Sequence, residues 1–183
     1  MRIISGSHKG RRLMAPRNLP VRPTTDNAKE ALFNILNHQY YFDELQVLDL
    51  FAGTGNISFE FASRGTPKIT AVDSFYGCVA YIQKIANEFN FPITALKRDV
   101  FKFLESHSQT YDVIFADPPY AMEIDTFETL VNLVFNGELL QPEGVLIVEH
   151  PKHTDLSHLR NHQESRRYGS SVFSFFGMGE DPS

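Results

Sequence analysis

From Gln46 onward the sequence falls into a repeating rhythm, in which short apolar runs rich in branched residues alternate with longer amphipathic ones. Val47–Phe51, Ile69–Val72, Val113–Ala116 and Val145–Val148 have the composition of strands buried on both faces, and Ile93–Leu96 is a weaker fifth. Helical patterns fill the gaps at Ile57–Ser63, Val79–Phe89, Val100–Leu104 and Phe127–Phe135. Repeated β-α units with right-handed crossovers predict an α/β chain built as a doubly wound, mostly parallel sheet. The tail breaks the rhythm, because Ser165–Tyr168 and Val172–Phe176 flank Gly169 and read as adjacent antiparallel strands. Ahead of it, Asn27 with Glu30 three residues on suits a helix cap, and Ala28, Ala31, Leu32, Ile35 and Leu36 predict an amphipathic helix.

A chain of 183 residues holds one domain of ordinary size with a small extension. No apolar run approaches the roughly 18–20 residues of a membrane span, and the N-terminus lacks the apolar core of a signal peptide. A cytoplasmic protein with no membrane partner is expected, and the single Cys78 fits a reducing compartment, where it reads as helix packing. Among seven histidines only His158 and His162 have the i, i+4 spacing that could place two ligands on one helix face, with no third ligand suggested, so no metal is expected.

Charge is distributed unevenly. Residues 1–22 contain Arg2, Lys9, Arg11, Arg12, Arg17 and Arg22 and no acidic residue, so a net charge of -5 divides into a +6 arm and a -11 body. Residues 1–22 are therefore read as a basic arm and 23–183 as the main domain. Arg2–Ser5 and Arg12–Ala15 are short strand candidates that would make the arm a hairpin, projecting Lys9, Arg11 and Arg12 at its tip. Clustered basic side chains gain counterion-release free energy against a polyanion such as RNA. A merely solvated hairpin is the alternative.

Ligands of open α/β sheets bind outside the carboxyl ends of the strands. The residues directly after the apolar runs are Ala52-Gly53-Thr54-Gly55, Asp73, Asp99 and Asp117-Pro118-Pro119-Tyr120. Gly53 and Gly55 let a turn approach a ligand closely, and Asp73, 20 residues beyond Gly53, suits a ribose diol. Asp49 and Phe51, in the run entering this turn, join the candidates. The pattern implies a nucleoside site, although the same turn would serve a dinucleotide or be purely structural. Ser58, standing where a third glycine would pack a pyrophosphate-binding helix, and Asp49 both lean away from NAD. Asp99 fits two roles equally: acceptor for an adenine amino group, beside a donating Val100 amide, or N-cap of the following helix.

Asp117-Pro118-Pro119-Tyr120 is the most specific feature. Two prolines stop the strand, fix φ near -65° and leave carbonyls without competing amides. An exocyclic base amine needs acceptors that hold its N–H groups and aim nitrogen at an electrophilic methyl. The Asp117 carboxylate and Pro118 carbonyl supply them, while Tyr120 can stack on the base. These residues point to S-adenosylmethionine-dependent methylation of a base amine. A turn with an N-capping aspartate is the structural alternative.

Arg22-Pro23-Thr24-Thr25-Asp26, Leu48-Asp49-Leu50-Phe51-Ala52-Gly53-Thr54-Gly55, Ser63-Arg64-Gly65 and Asp117-Pro118-Pro119-Tyr120, in this order and spacing, resemble the RsmD family of bacterial 16S rRNA guanine-N2 methyltransferases. The resemblance implies a class I S-adenosylmethionine-dependent methyltransferase, with a Rossmann-like seven-stranded sheet and an N-terminal hairpin extension. It implies Asp117, Pro118 and Tyr120 as catalytic residues, with Thr24 and Thr25 helping to hold the methionine carboxylate of the cofactor. Cofactor contacts at Asp49, Phe51, Gly53, Gly55, Asp73, Asp99 and Val100 are expected, and RNA contacts at Lys9, Arg11, Arg12 and Arg22. Its expected partner is 16S rRNA in a small-subunit assembly intermediate, with ribosomal proteins completing the docking surface, and a monomer is the default state. Rival readings are an N6-adenine or other amine methyltransferase of the same motif, a catalytically silent RNA-binding module on the same fold, and an NAD-dependent oxidoreductase.

Overall fold

The computed structural model describes residues 1–179. Its strands are β1 (Gln46–Leu50), β2 (Lys68–Asp73), β3 (Ile93–Lys97), β4 (Tyr111–Ala116), β5 (Leu140–Pro151), β6 (His162–Tyr168) and β7 (Ser171–Gly177). Helices are α1 (Asp26–Asn37), α2 (Asn56–Ser63), α3 (Tyr76–Phe89), α4 (Val100–Ser106) and α5 (Ile124–Asn136). One seven-stranded sheet runs in the order β3-β2-β1-β4-β5-β7-β6. Its first five strands are parallel, and β7 is antiparallel to both of its neighbours.

Strand alternation sends odd-numbered residues of β1, β2 and β4 to one face and even-numbered ones to the other. Val47, Ile69, Val113, Phe115 and Ile147 pack on that first face beneath α1, α2 and α3. Leu48, Val72, Ile114 and Leu146 pack on the second beneath α4 and α5. Burial on both faces accounts for the continuous apolar runs. β5 begins five residues before its expected start, because Leu140–Gly144 carries polar residues that pair only at the sheet margin.

The first helix starts two residues earlier than expected. Thr25, not Asn27, is its N-cap, with its hydroxyl accepting from the Ala28 N–H at 3.3 Å. Asp26 then sits in the first turn, where it complements the helix dipole. The buried face holds Ala28, Lys29, Leu32, Phe33 and Leu36, so the expected Ala31 and Ile35 lie at its margin.

All eight residues of α2 are buried, which a helix achieves only when covered on every side. The sheet covers one side and the N-terminal arm the other. Arm residues pair as a hairpin, with Ile3 N–H donating to Arg11 O at 2.9 Å and Gly10 N–H to Ile3 O at 2.8 Å, although only Arg2 and Arg12 form a β-bridge. The hairpin lies docked along its length instead of projecting. Ile3 and Leu13 are buried, Ser7 N–H donates to Ser63 O, and the His8 ring stacks on Phe89 with centroids 4.8 Å apart. Gly6, at φ +88°, allows this approach, since a Cβ there would lie 1.8 Å from Ser63 O.

A buried polar clip secures the dock. The Glu60 carboxylate accepts from the Ile4 N–H at 2.8 Å and the Ser5 N–H at 3.1 Å, and pairs with Lys29 at 3.4 Å and Arg64 at 2.9 Å. Lys29 also donates to the Arg2 carbonyl and, at 2.8 Å, to Asn56 Oδ1. Burial lowers the affinity of Lys29 for its proton, and Glu60 opposes that effect.

Candidate active site

A cavity of about 800 Å³ opens at the carboxyl ends of the parallel strands. Four acidic residues reach the edge of the first sheet face there: Asp49 on β1, Asp73 ending β2, Asp117 just after β4 and Glu149 on β5. Ala116 pairs in register with Val148, so Asp117 and Glu149 occupy the next matched positions on neighbouring strands. All four are linked by charge, since Glu149 and Asp49 act on Asp117 and Asp73 acts on Asp49.

Asp49 is fully buried and accepts from the Ser58 hydroxyl at 2.6 Å. Burial pushes its carboxyl up to about 7, with the Ser58 hydrogen bonds opposing. Asp117 is raised well above the ordinary carboxylate range by burial first, and then by the charges of Glu149 and Asp49. Glu149 is raised as well, by burial, against the pull of the Thr24 and Ser171 hydroxyls. These groups bind protons more tightly than free carboxylates, because ionising them together in a confined space is unfavourable.

The glycine turn divides by function. Gly53, at φ +57°, lines the cavity, and its N–H donates to Asp73 Oδ2 at 2.9 Å. Phe75 N–H donates to Asp73 Oδ1 at 2.9 Å, so the carboxylate is held by two backbone amides and keeps lone pairs for a ligand. Gly55 is absent from the wall. At φ +82° it begins α2, and a Cβ would lie 2.8 Å from Ile82 and 3.0 Å from Phe59, which makes it a packing glycine. Phe51 holds a left-handed φ of 54° at the cavity wall, a conformation that costs energy for a side chain of this size.

Asp99 and Val100 also lie outside the wall. Of the two roles open to Asp99, the cap is formed: its Oδ1 accepts from the Lys102 N–H at 3.0 Å. Thr24 and Thr25 both line the cavity but differ in what they do. Thr25 caps α1, whereas the buried Thr24 donates its hydroxyl to Glu149 Oε2 at 2.6 Å. Asn56 Nδ2 donates to the Thr24 carbonyl at 3.0 Å, which connects Thr24 to the Lys29–Glu60 clip.

Pro118 and Pro119 carry the strand end across the cavity floor to Tyr120, which is 54% exposed. The Arg22 guanidinium stands 5.8 Å from the Tyr120 ring centroid, so these two side chains frame the mouth. Pro20, Val21 and Pro23 complete the wall beside them, and the boundary drawn at residue 22 falls inside it. Lys9, Arg11 and Arg12 are exposed and away from the cavity. Arg12 lines a second groove with Arg2, and that groove shares Pro23, Thr24 and Thr25 with the cavity.

Sequence reading missed Glu149, Asn56 and Val21. Glu149 had a visible signal, since it directly follows the apolar run Val145–Val148, as the other candidate acids follow theirs. Asn56 and Val21 had none. Cys78 lies buried in α3 where that helix backs the cavity wall, with its thiol pushed up to about 11 by burial and then by the charge of Asp73.

Comparison with known proteins gives consistent relatives. The family model described as conserved hypothetical protein 95 matches residues 1–177. YlbH of Bacillus subtilis (strain 168) is 32% identical over 161 residues, 85% of each chain. Ribosomal RNA small subunit methyltransferase D of Haemophilus influenzae is 30% identical, over 83% of this chain and 79% of that protein. Among solved structures, a hypothetical protein of Thermus thermophilus superposes with a TM-score of 0.82 at 25% identity, covering 97% of this chain and 99% of that one. The Thermus thermophilus 16S rRNA N2 methyltransferase RsmC, solved with AdoMet and guanosine, has a TM-score of 0.71 at 22% identity over 87% of this chain and 45% of its own. The fold is that of the class I methyltransferases.

Proposed function

This chain belongs to the RsmD family, whose model is described as conserved hypothetical protein 95, and on that premise we propose that it transfers a methyl group from S-adenosylmethionine to the exocyclic N2 amine of a guanine in 16S rRNA. The observation that carries this reading is the meeting of two half-sites in one cavity. The Asp117-Pro118-Tyr120 turn faces the same space as Gly53 and Asp73, so an amine acceptor and a nucleoside cradle share walls.

The residues present fit the cofactor. Asp73 is fixed by the Gly53 and Phe75 amides and is assigned the ribose hydroxyls. Thr24, Thr25, Asp49, Phe51 and Gly53 are assigned the rest of the wall around it, and Gly55 the packing that holds the turn. Asp99 keeps one carboxylate oxygen beyond its cap and, with the Val100 amide, is assigned the adenine edge. Bound S-adenosylmethionine supplies an already electrophilic methyl on its sulfonium sulfur.

Catalysis by the chain is then mostly positioning. The Asp117 carboxylate and the Pro118 carbonyl accept the two amine N–H groups and hold the nitrogen in line with the methyl. Such alignment contributes roughly 7–11 kcal/mol of barrier lowering in favourable cases. Forming the N–C bond would break the methyl–sulfur bond, leaving the cofactor as the neutral thioether, and would release one amine proton, which an ionised Asp117, whose proton affinity is raised, is suited to take. Tyr120 stacks on the flipped base, worth about 1–3 kcal/mol. Lys9, Arg11, Arg12 and Arg22 are assigned the RNA backbone. The RNA is proposed to be presented in a small-subunit assembly intermediate.

The test is methylation of small-subunit RNA and particles with labelled cofactor, followed by nucleoside digestion and oligonucleotide mass spectrometry. N2-methylguanosine at one position is the expected product. N6-methyladenosine without N2-methylguanosine would replace this reading with its adenine rival.

A further inference from the structure

Glu149 is a carboxylate that packing does not explain. It is only 7% exposed, it lines the cavity with Asp117, and it follows Val148 as Asp117 follows Ala116, the last register pair of β4 and β5. Its Oε2 accepts the Thr24 hydroxyl at 2.6 Å, and the Ser171 hydroxyl at the cavity wall is the one other side-chain donor that acts on the carboxylate among the described residues. Asp117 has none to its carboxylate at all among those residues, although its backbone N–H donates to Leu50 O. A carboxylate pair can accept several hydrogen bonds, and leaving buried ones unmade is costly. Two neighbouring acceptors therefore face the cavity with most of their capacity unused.

The chemistry of base edges says which ligand fills that capacity. Guanine carries its exocyclic N2 amine beside a ring N1–H, so its edge offers donors at adjacent positions. Adenine carries N6 beside N1, and cytosine carries N4 beside N3, and in both the neighbouring ring nitrogen is an acceptor. A second carboxylate next to the amine site would meet that lone pair with its own. With both carboxylates ionised, only the guanine edge satisfies both acceptors.

We infer that Glu149 accepts the N1–H of the target guanine while Asp117 holds its N2 amine, making Glu149 the residue that selects guanine over other amino-bearing bases. Thr24 orients this carboxylate by donating to Oε2 and leaves Oε1 to the base. The assignment rests on the methyl-transfer reading of the same cavity and supplies the base specificity that the Asp117–Tyr120 turn lacks by itself. Raised proton affinity in the free site agrees with it, because a two-donor edge is what relieves two crowded carboxylates.

The experiment uses an RNA fragment bearing either guanine or 2-aminopurine at the methylated position. 2-Aminopurine keeps the amine at C2 but has a lone pair at N1. Full-length wild-type protein should favour guanine by at least about 100-fold in kcat/KM. Glu149→Gln, whose amide can turn its N–H₂ toward N1, should compress that ratio about tenfold or more, with S-adenosylmethionine affinity by calorimetry within about threefold. An unchanged ratio in the variant would overturn the inference while leaving methylation of guanine N2 standing. Equal rates on the two bases with wild-type protein would overturn it whether or not the variant folds. A wild-type product of N6-methyladenosine alone would instead show that the underlying reading had failed.

Discussion

At the residue scale the acidic rim sets both chemistry and pH behaviour. Asp117→Ala removes the acceptor proposed to hold the amine, so methyl transfer should fall by at least about 1000-fold while S-adenosylmethionine affinity changes only a few-fold. Single-turnover rates and calorimetry check the split, and an unchanged rate would remove Asp117 from the mechanism. Asp49 makes a separate prediction about stability. Its carboxyl titrates near 7 in the folded chain, so between about pH 4 and pH 7 the folded state binds a proton that the unfolded state has lost. Its contribution to stability therefore declines as pH rises through that window and is flat on either side. Asp49→Asn keeps an acceptor for Ser58 and cannot ionise. Its stability relative to wild type should rise from pH 4 to pH 8, by up to roughly 4 kcal/mol. Parallel urea melts would refute the assignment if the difference stayed constant with pH.

At the element scale the decisive feature is how α1, α2 and the arm lock together. Lys29 in α1 and Glu60 in α2 are charged residues, a type that is seldom fully buried unless paired. Each is buried only because the other is there, with Arg64 and the Ile4 and Ser5 amides completing the set. Breaking a buried pair by removing one partner leaves an uncompensated charge, at a cost of about 3–5 kcal/mol. Glu60→Ala should lose stability of that order in urea melts. It should also release the hairpin, which limited trypsin digestion would detect as early cleavage at Lys9, Arg11 or Arg12. Resistance equal to wild type would mean that the apolar contacts of Ile3, Leu13 and His8 hold the arm without the clip.

For the molecule as a whole, charge is segregated between a +6 arm and a -11 body, and docking brings the two together without neutralising the outer face. Arg2 and Arg12 line a groove that shares Pro23, Thr24 and Thr25 with the cavity, so an RNA strand lying in it would lead to the proposed methylation site. Replacing Lys9, Arg11 and Arg12 by Ala should weaken RNA binding and flatten its dependence on salt, by about 0.7–0.9 in log–log slope for each phosphate no longer neutralised. Filter binding across a salt series measures this directly. An unchanged slope would return the three residues to a solvated surface.

Much of this was legible before folding. Apolar runs of four or five branched residues can be little else than buried strands, and right-handed crossovers bring their carboxyl ends to one edge, so Asp49, Gly53, Asp73 and Asp117 could be gathered from sequence alone. The proline pair after β4 was equally local, because its stiffness belongs to the residues themselves. Register and docking were not local. Glu149 gains meaning only because β4 and β5 pair with Ala116 opposite Val148, and because Thr24, 125 residues away, donates to it. Gly55 packs against Ile82 and Phe59, and Asp99 forms the cap that was one of its two possible roles, contacts that the residue type allows but does not choose. The apolar pattern determined the sheet and the edge where chemistry collects. Tertiary contact decided which carboxylates share the cavity, because the burial of a charged group depends on partners that no nearby stretch of chain contains.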